Sequence, residues 1–205
     1  MGIFGSGQRK TFDGKNGVKI TKPLKVPLDT QLYRLAELEV LVGFPEGGEA
    51  RPPDENGGSS DMTNAALGYI HDNGVPEQNI PARPFMTPGV ERVRKELTAK
   101  LGQIAKAATK ENAPPDVVAV GLTQVGLIAQ ASIKRQITDG IGPPLSEATL
   151  RARARKKKNS KGARMELAAR KAGAAPSLDL AKPLLDTNEM YKAINYVIRP
   201  RKKRK

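Results

Sequence analysis

Apolar residues recur at helical spacing in two long segments of this sequence. Between residues 87 and 110 they follow one another at intervals of three or four, which places them on one face of a helix. The positions are Val90, Val93, Leu97, Leu101, Ile104 and Ala108. Thr87 suits the N-cap of this helix and Pro88 its first position. A second helix is predicted over about 116–138. It is apolar on nearly every face, so we expect it to be the central buried helix.

Two short segments, far apart in sequence, have the composition of β-strands. Residues 38–44 form an apolar, β-branched run that ends at Pro45, and residues 194–198 form a similar run near the other end of the chain. We expect the two strands to pair across a small, mostly antiparallel sheet that packs against the two long helices. The predicted fold class is therefore α+β.

Cap and turn residues delimit the elements between these segments. A helix over 61–70 is predicted to start at Ser60 or Asp61 and to bury a stripe that includes Tyr69, and Gly74 follows its end. The prolines of residues 80–85 remove backbone donors and bias their neighbours to extended geometry, so this segment is predicted to be extended.

The region after residue 145 is less regular. Ser146 can cap a short helix that ends in the basic run 151–158. Residues 156–178 have no convincing core face, so we predict them to be disordered or conditionally ordered, with one weak helical stretch around 165–169. A helical turn capped by Asp186 or Thr187 then leads into the last strand.

The net charge of +14 is concentrated in three segments. Residues 9–25 carry +5, residues 151–172 carry +9 and residues 199–205 carry +6, so the remainder of the chain carries −6. Dense blocks of like charge often serve as interaction arms. The chain is therefore predicted to be a mildly acidic body with basic extensions.

These observations divide the chain into five parts. We predict a basic flexible arm at 1–28, an α+β core at 29–150, a basic insert loop at 151–181, the closing helical turn and strand of the core at 182–199, and a basic tail at 200–205.

The composition excludes several kinds of chemistry. There is no cysteine and only one histidine, so cysteine-based sites and two-imidazole sites are excluded. His71 and Asp72 could form a dyad, but no serine nucleophile lies in a recognisable context, and we read the histidine as a helix C-terminal residue that interacts favourably with the dipole. Asp54, Glu55 and Asp61 lack the spacing of a calcium loop. We therefore predict no catalytic residue, no cofactor and no metal site. No uninterrupted apolar run is long enough to span a membrane, and no signal peptide is evident.

The basic segments are candidate contacts to partner proteins or to DNA. They lack the interleaved aromatic residues of a base-stacking surface, so they predict at most phosphate contact without sequence reading. The candidate contact residues are Lys10, Lys15, Lys19, Arg151, Arg153, Arg155, Lys156, Lys157, Lys158, Lys161, Arg201, Lys202 and Lys203. A non-sequence-specific nucleic-acid-binding protein, associated with ribosomes or the nucleoid, is the alternative functional class.

Several separated stretches resemble one protein family. They are residues 65–74, the run 79–88, the run 142–150 that contains Pro-Pro-Leu-Ser, and residues 182–190 and 193–197. In order and spacing they are similar to the tail-completion and neck proteins of tailed bacteriophages, also described as virion morphogenesis or minor tail proteins. The motif residues are Ile80, Pro81, Ala82, Arg83, Pro84, Phe85, Asp186 and Thr187. Asp72 and Asn73 replace the family's usual Glu and aromatic residue. Asn188 replaces a Gly, and asparagine is the residue that next best tolerates the left-handed conformation such a position requires.

The resemblance implies a structural virion protein without catalysis. Such a protein forms a homo-oligomeric ring, with a hexamer favoured, in the neck at the head-proximal end of the tail. Its partners would be neighbouring neck or connector proteins and tail-tube or tail-terminator proteins, with non-specific DNA contact in the channel and no membrane. It would be assembled in the host cytoplasm. Within the motif, Arg83 is predicted to pair bidentately with a carboxylate.

Overall fold

The computed structural model describes residues 30–45, 62–110, 112–156 and 158–202. The predicted arm at 1–28 and the acidic residues Asp54, Glu55 and Asp61 lie outside the described residues. The fold is mixed helix and strand with a small two-stranded antiparallel sheet, which confirms the α+β class. In chain order the elements are α1 (Thr30–Glu37), β1 (Leu38–Gly43), α2 (Asn64–Asn73), a 3-10 turn (Pro76–Gln78), α3 (Met86–Glu91), α4 (Arg94–Ala108), α5 (Val117–Asp139), α6 (Glu147–Ala154), α7 (Lys161–Lys171), α8 (Glu189–Ala193) and β2 (Asn195–Pro200).

The predicted pairing of the two distant strands is confirmed. β1 and β2 are antiparallel, with Val40 opposite Ile198 and Leu41 opposite Val197. Val40 and Ile198 pack on the cluster formed by α4 and α5, whereas Leu41 and Val197 on the other face are each more than a third exposed. The sheet is thus apolar on both faces but buried on one.

Helix α5 is the element against which the others pack. It contacts α1, α3, α4 and both strands, and it buries a row of side chains that runs from Val118 to Ile137. Two glycines permit the closest approaches. A Cβ at Gly121 would lie 2.4 Å from Ile104 of α4, and a Cβ at Gly126 would lie 2.3 Å from the ring of Tyr196 of β2. The prediction of a central buried helix is borne out by this packing.

Helix α5 is also long and apolar enough, by length and composition alone, to span a membrane. The sequence contains no uninterrupted apolar run of this length, because Thr123, Gln124 and Gln130 lie within α5, and the helix stands out only when hydropathy is averaged over a window. Its most apolar window has a mean hydropathy of 1.4, and 44% of that window is buried inside the protein. The core helix of a globular domain passes the same test, and we interpret α5 in that way because it packs on both strands.

The single helix predicted over 87–110 is two helices. α3 ends at Glu91, and α4 begins at Arg94 after a turn in which Val93 has φ −112° and ψ 9°. The turn lets α3 and α4 meet α5 separately, α3 with Gly89 against the backbone of Ile133 and α4 with Ile104 against Gly121. Thr87 is not the N-cap, since α3 has already begun at Met86. Leu101, predicted to be in the core face, is 40% exposed.

The prediction that residues 156–178 lack a core face is wrong. Within the predicted insert loop, α6 and α7 pack as a helical pair around Leu145, Leu150, Ala163 and Ala181. The interior of this pair also contains a carboxylate. Glu166 is 1% exposed and accepts hydrogen bonds from Arg170 Nε at 2.9 Å and from the backbone and hydroxyl of Ser177.

Smaller differences occur near the first strand and the second helix. The sequence reading missed α1, and it placed the start of α2 too early, since Thr63 is the N-cap and its hydroxyl accepts from the Ala66 N–H. Tyr69 is 71% exposed rather than part of a buried stripe. Ser146 caps α6 as predicted, and Gly74 follows α2 with φ 77°.

The close approaches to α5 are tested by adding a methyl group at matched glycines. We expect Gly126→Ala to lower the free energy of unfolding by about 1–3 kcal/mol, because the new Cβ overlaps the Tyr196 ring. Gly102→Ala is the control, since nothing lies within 4 Å of its Cβ position in α4. That change should raise stability by about 0.5–1 kcal/mol through helix propensity. Urea unfolding followed by circular dichroism measures both, and equal effects would contradict the packing described here.

The buried carboxylate of Glu166 has a pH-dependent contribution to stability. The hydrogen bond from the Ser177 backbone, together with those from Arg170 and the Ser177 hydroxyl, holds the pKa of Glu166 below its ordinary value of 4.5 despite burial. A lowered folded-state pKa gives stability that is fully present above the ordinary, unfolded-state pKa and is lost as the pH falls through the folded-state pKa. Glu166→Gln should therefore cost about 1–3 kcal/mol at pH 7 and progressively less at acidic pH.

Glu147→Gln provides the matched control for Glu166→Gln. Glu147 also pairs with an arginine four residues later, Arg151, but the side chains of both residues are more than half exposed. An exposed pair of this kind contributes below about 1 kcal/mol. If the two substitutions shift chemical unfolding at pH 7 equally, the buried pair does not stabilise α7.

Candidate functional site

Four of the five stretches that carry the family resemblance, 65–74, 79–88, 142–150 and 182–190, line one cleft. It has a volume of about 850 Å³ and is lined by residues from the extended segment after α2, from the start of α6 and from the segment before α8. Many of its wall residues are prolines, among them Pro76, Pro81, Pro143, Pro144 and Pro183. The charged residues that line it are Arg83, Arg153, Lys156, Asp186 and Glu189, together with His71.

The predicted extended segment 80–85 lies against the C-terminal end of α2. Val75 and Ile80 form an antiparallel bridge across the 3-10 turn, so the chain reverses and runs back past the end of α2. Gly74 is required here, because a Cβ on it would lie 2.6 Å from the Ala82 nitrogen. The Arg83 N–H then donates to the His71 carbonyl at 2.7 Å.

Asp72 anchors the far end of the same segment. Its Oδ1 accepts hydrogen bonds from the backbone N–H groups of Phe85 at 2.7 Å and Met86 at 3.0 Å. These donors lie at the start of α3, so the carboxylate satisfies two N–H groups of the first turn and interacts favourably with the positive end of the helix dipole. Phe85 is completely buried, and its ring packs edge-to-face against Phe44 with the two ring centroids 6.4 Å apart. The acidic residue next to the histidine is therefore structural in this geometry.

Arg83 is positioned by a backbone carbonyl and not by the predicted carboxylate. It is 6% exposed, and its Nη2 donates to the Pro143 carbonyl at 2.9 Å. Nε is buried without a hydrogen-bond partner, and within the described ranges no acidic side chain pairs with the guanidinium. The physical reason is that the one motif aspartate of the cleft, Asp186, is held by other cations. Burial lowers the pKa of Arg83, and the nearby charge of Arg153 lowers it further.

Asp186 joins α6 to the segment that precedes α8. Its Oδ2 lies 2.5 Å from Lys156 Nζ and 3.8 Å from Arg153 Nε. Arg153 also donates from Nη1 to the carbonyls of Lys182 at 2.9 Å and Leu185 at 3.4 Å, and its side chain is 13% exposed. Burial is the main influence on the pKa of Arg153 and lowers it, whereas Asp186 raises it. This network fixes the motif stretch 182–190 to α6 and to the residues that follow it.

The segment before α8 also has unusual backbone geometry. Asn188 is left-handed, with φ 63°, as predicted for a residue in the place of glycine. Leu184, which lines the cleft, has φ 62°, a conformation that is strained for a bulky residue. The N-cap position of α8 is occupied by Asn188, so the prediction of Asp186 or Thr187 as the cap is wrong. Thr187 is exposed, and its hydroxyl accepts a weak hydrogen bond from the Glu189 N–H at 3.4 Å.

His71 does not behave as a charged helix C-terminal residue. Burial, followed by the charges of Arg83 and Arg153, lowers its pKa below 6.5, so the imidazole is neutral at pH 7. Its Nδ1 is buried without a hydrogen-bond partner. The hydroxyl of Ser146, which also lines the cleft, accepts from the Thr149 N–H at the start of α6. This arrangement can hold an anionic or amide group against the arginines.

The predicted contact residues fall into three groups. Lys10, Lys15, Lys19, Lys157 and Lys203 lie outside the described residues. Arg151 pairs with Glu147, and Arg153 and Lys156 bind Asp186, so these three form contacts within the chain. The exposed members are Arg155, Lys158, Lys161, Arg201 and Lys202, and Arg151 is also exposed, at 63%, despite its pair with Glu147. Sequence reasoning treated the basic run as one surface, and no signal in the sequence separates its inward from its outward members.

Comparison of the chain with protein-family models, with curated protein sequences and with solved structures gave no match. Among the described residues, no cluster of three or more potential metal ligands occurs.

The cap that Asp72 provides is the most direct test of how the cleft is built. Asp72→Ala removes the acceptor for two N–H groups at the start of α3, and we expect it to lower the free energy of unfolding by about 1–2 kcal/mol. Asp179→Ala is the control, because Asp179 is exposed and its carboxylate makes no described contact; it should change stability by less than about 0.5 kcal/mol. Thermal and urea unfolding compare the two, and an unchanged Asp72→Ala protein would show that the cap is dispensable.

Proposed function

We propose that this chain is a structural protein of a tailed-bacteriophage virion that forms a homo-oligomeric ring in the neck and joins the tail to the head around the DNA channel. The observation that carries the proposal is the convergence of the motif stretches. Residues 79–88, 142–150 and 182–190 are distant in sequence, and they share one cleft. A set of motifs that resembles one family in order and spacing thus acts as one unit in three dimensions.

The interactions within that unit support a structural role. Arg83 binds the Pro143 carbonyl, Arg153 binds the carbonyls of Lys182 and Leu185, and Asp72 binds two N–H groups of α3. Each of these three side chains therefore holds backbone of another part of the chain in place. Side chains used in this way fix the relative positions of loops, as a protein that must present a constant surface to its neighbours requires.

A second candidate function rests on the outward-facing cations. Arg155, Lys158 and Lys161 are exposed around the turn between α6 and α7, and Arg201 and Lys202 are exposed after β2. They suit contact with phosphates without reading of sequence, as in a nucleic-acid-binding protein. The pairing of Arg153 and Lys156 with Asp186 reduces the number of cations that such a surface offers, whereas Arg151 stays 63% exposed in its pair with Glu147.

The ring is tested with the purified full-length chain. We expect light scattering coupled to size exclusion to give a mass several times the 22.1 kDa of one chain, and negative-stain microscopy to show rings. Deletion of residues 1–28, the predicted arm, should weaken the ring while leaving the helical content measured by circular dichroism nearly unchanged.

The opposite outcome favours the second candidate function. A full-length chain that stays monomeric at every concentration contradicts the ring. If that monomer binds duplex DNA with an affinity that falls steeply and linearly in a plot of log K against log salt, the nucleic-acid-binding class is supported instead.

A further inference from the structure

The cations of the cleft outnumber the carboxylates that neutralise them. Lys156 and Arg153 share Asp186, and the remaining acid of the lining, Glu189, makes no ion pair with a described residue. Arg83 has the backbone carbonyl of Pro143 as its described partner. A buried guanidinium that lacks a carboxylate leaves a desolvated charge only partly compensated.

The two arginines of the cleft also repel each other. Arg83 lies near enough to Arg153 for the two charges to interact unfavourably. Arg153 is partly compensated by Asp186, whereas Nη1 of Arg83 makes no hydrogen bond to any described residue. An anion that reaches Nη1 of Arg83 would relieve both the missing hydrogen bond and the repulsion.

The walls around Arg83 determine which anion can reach it. The lining includes apolar and rigid residues, among them Ile80, Pro81, Pro144 and Leu184. Prolines hold φ fixed, so the cleft is formed before a ligand arrives and little ordering accompanies binding. Arg83 itself is only 6% exposed. A carboxylate on a single side chain needs less clearance than the phosphates of a duplex to reach a guanidinium with so little exposed surface.

We propose that this cleft is a docking site for an acidic peptide segment of a neighbouring protein chain, whose Glu or Asp carboxylate binds Arg83. The fork of arginine matches a carboxylate in geometry, and apolar neighbours of the acid in the peptide would contact the proline walls. The inference rests on the proposed function in one respect, namely that the neighbour is another chain of the same assembly. The binding chemistry itself depends only on the cleft.

The test measures binding of a defined probe by fluorescence anisotropy. The probe is a fluorescein-labelled ten-residue peptide in which Glu alternates with Leu and Pro, and its counterpart has Gln in place of each Glu. We expect the Glu peptide to bind the full-length protein and the Gln peptide to bind about tenfold more weakly or worse, because a charged hydrogen bond is lost.

Two matched substitutions separate the cleft from general electrostatics. Arg83→Met should weaken the Glu peptide about tenfold or more, and Arg83→Lys should weaken it by less than that while preserving the fold. Arg135→Met removes a charge from the surface of α5, where the side chain is 72% exposed and outside the cleft, and should leave binding unchanged. Circular dichroism and thermal unfolding of each variant verify that it is folded.

Each contrary result overturns the proposal in a distinct way. Equal losses for Arg83→Met and Arg135→Met would assign the binding to net charge. Equal binding of the Gln peptide would exclude carboxylate recognition. Displacement of the Glu peptide by duplex DNA, with loss of DNA binding in Arg83→Met, would make the cleft a phosphate site.

Mass measurements on the same samples keep this inference separate from the proposed function. Rings that do not bind the Glu peptide would reject the docking site and leave the neck role in place. Peptide binding by a protein that stays monomeric would reject the ring and leave the docking site in place.

Discussion

Gly121 and Gly126 lie five residues apart on α5, and at each of them a neighbouring side chain lies directly against the helix backbone. Ile104 brings α4 to the first position and Tyr196 brings β2 to the second. Because β1 pairs with β2, the sheet is fixed to α5 through this contact. Gly89 places α3 on the same helix at Ile133, and the residues just before α3 are the extended motif segment. The position of the cleft therefore follows from how closely other elements can approach α5.

Elements whose signal is local were predictable from the sequence. The apolar character of α5, the hydroxyl cap of α6 and the glycine after α2 are readable within a few residues, and each occurs in the structure. The split between α3 and α4 was not predictable, because the apolar spacing of three and four continues across Val93 while the cause of the turn is contact with α5. Asp72 illustrates the same limit, since the N–H groups it caps lie 13 and 14 residues further along the chain.

The misread insert shows how a basic composition can conceal a packed core. Helix α7 has a small apolar face, and one of its buried positions is Glu166, which pattern analysis counts as a surface residue. Five basic side chains in the described part of this region bind groups of the same chain, namely Arg151, Arg153, Lys156, Arg164 and Arg170, and of these Arg151 and Arg164 remain exposed. Several of these cations bind carbonyl groups or buried acids. A count of positive charges along the chain therefore overestimates the surface that is free to bind DNA or partners.

The groups that bind the cleft arginines determine how the proposed docking site depends on pH and on ionic strength. A guanidinium held by a neutral carbonyl, as Arg83 is by Pro143, keeps its full charge available to an incoming group. Arginine stays protonated at physiological pH even when burial lowers its pKa, and the lowered pKa of His71 keeps the imidazole neutral there. At pH 7 the arginine is thus charged and the imidazole is not. Association through Arg83 would therefore depend on ionic strength and on the shape of the proline-lined walls.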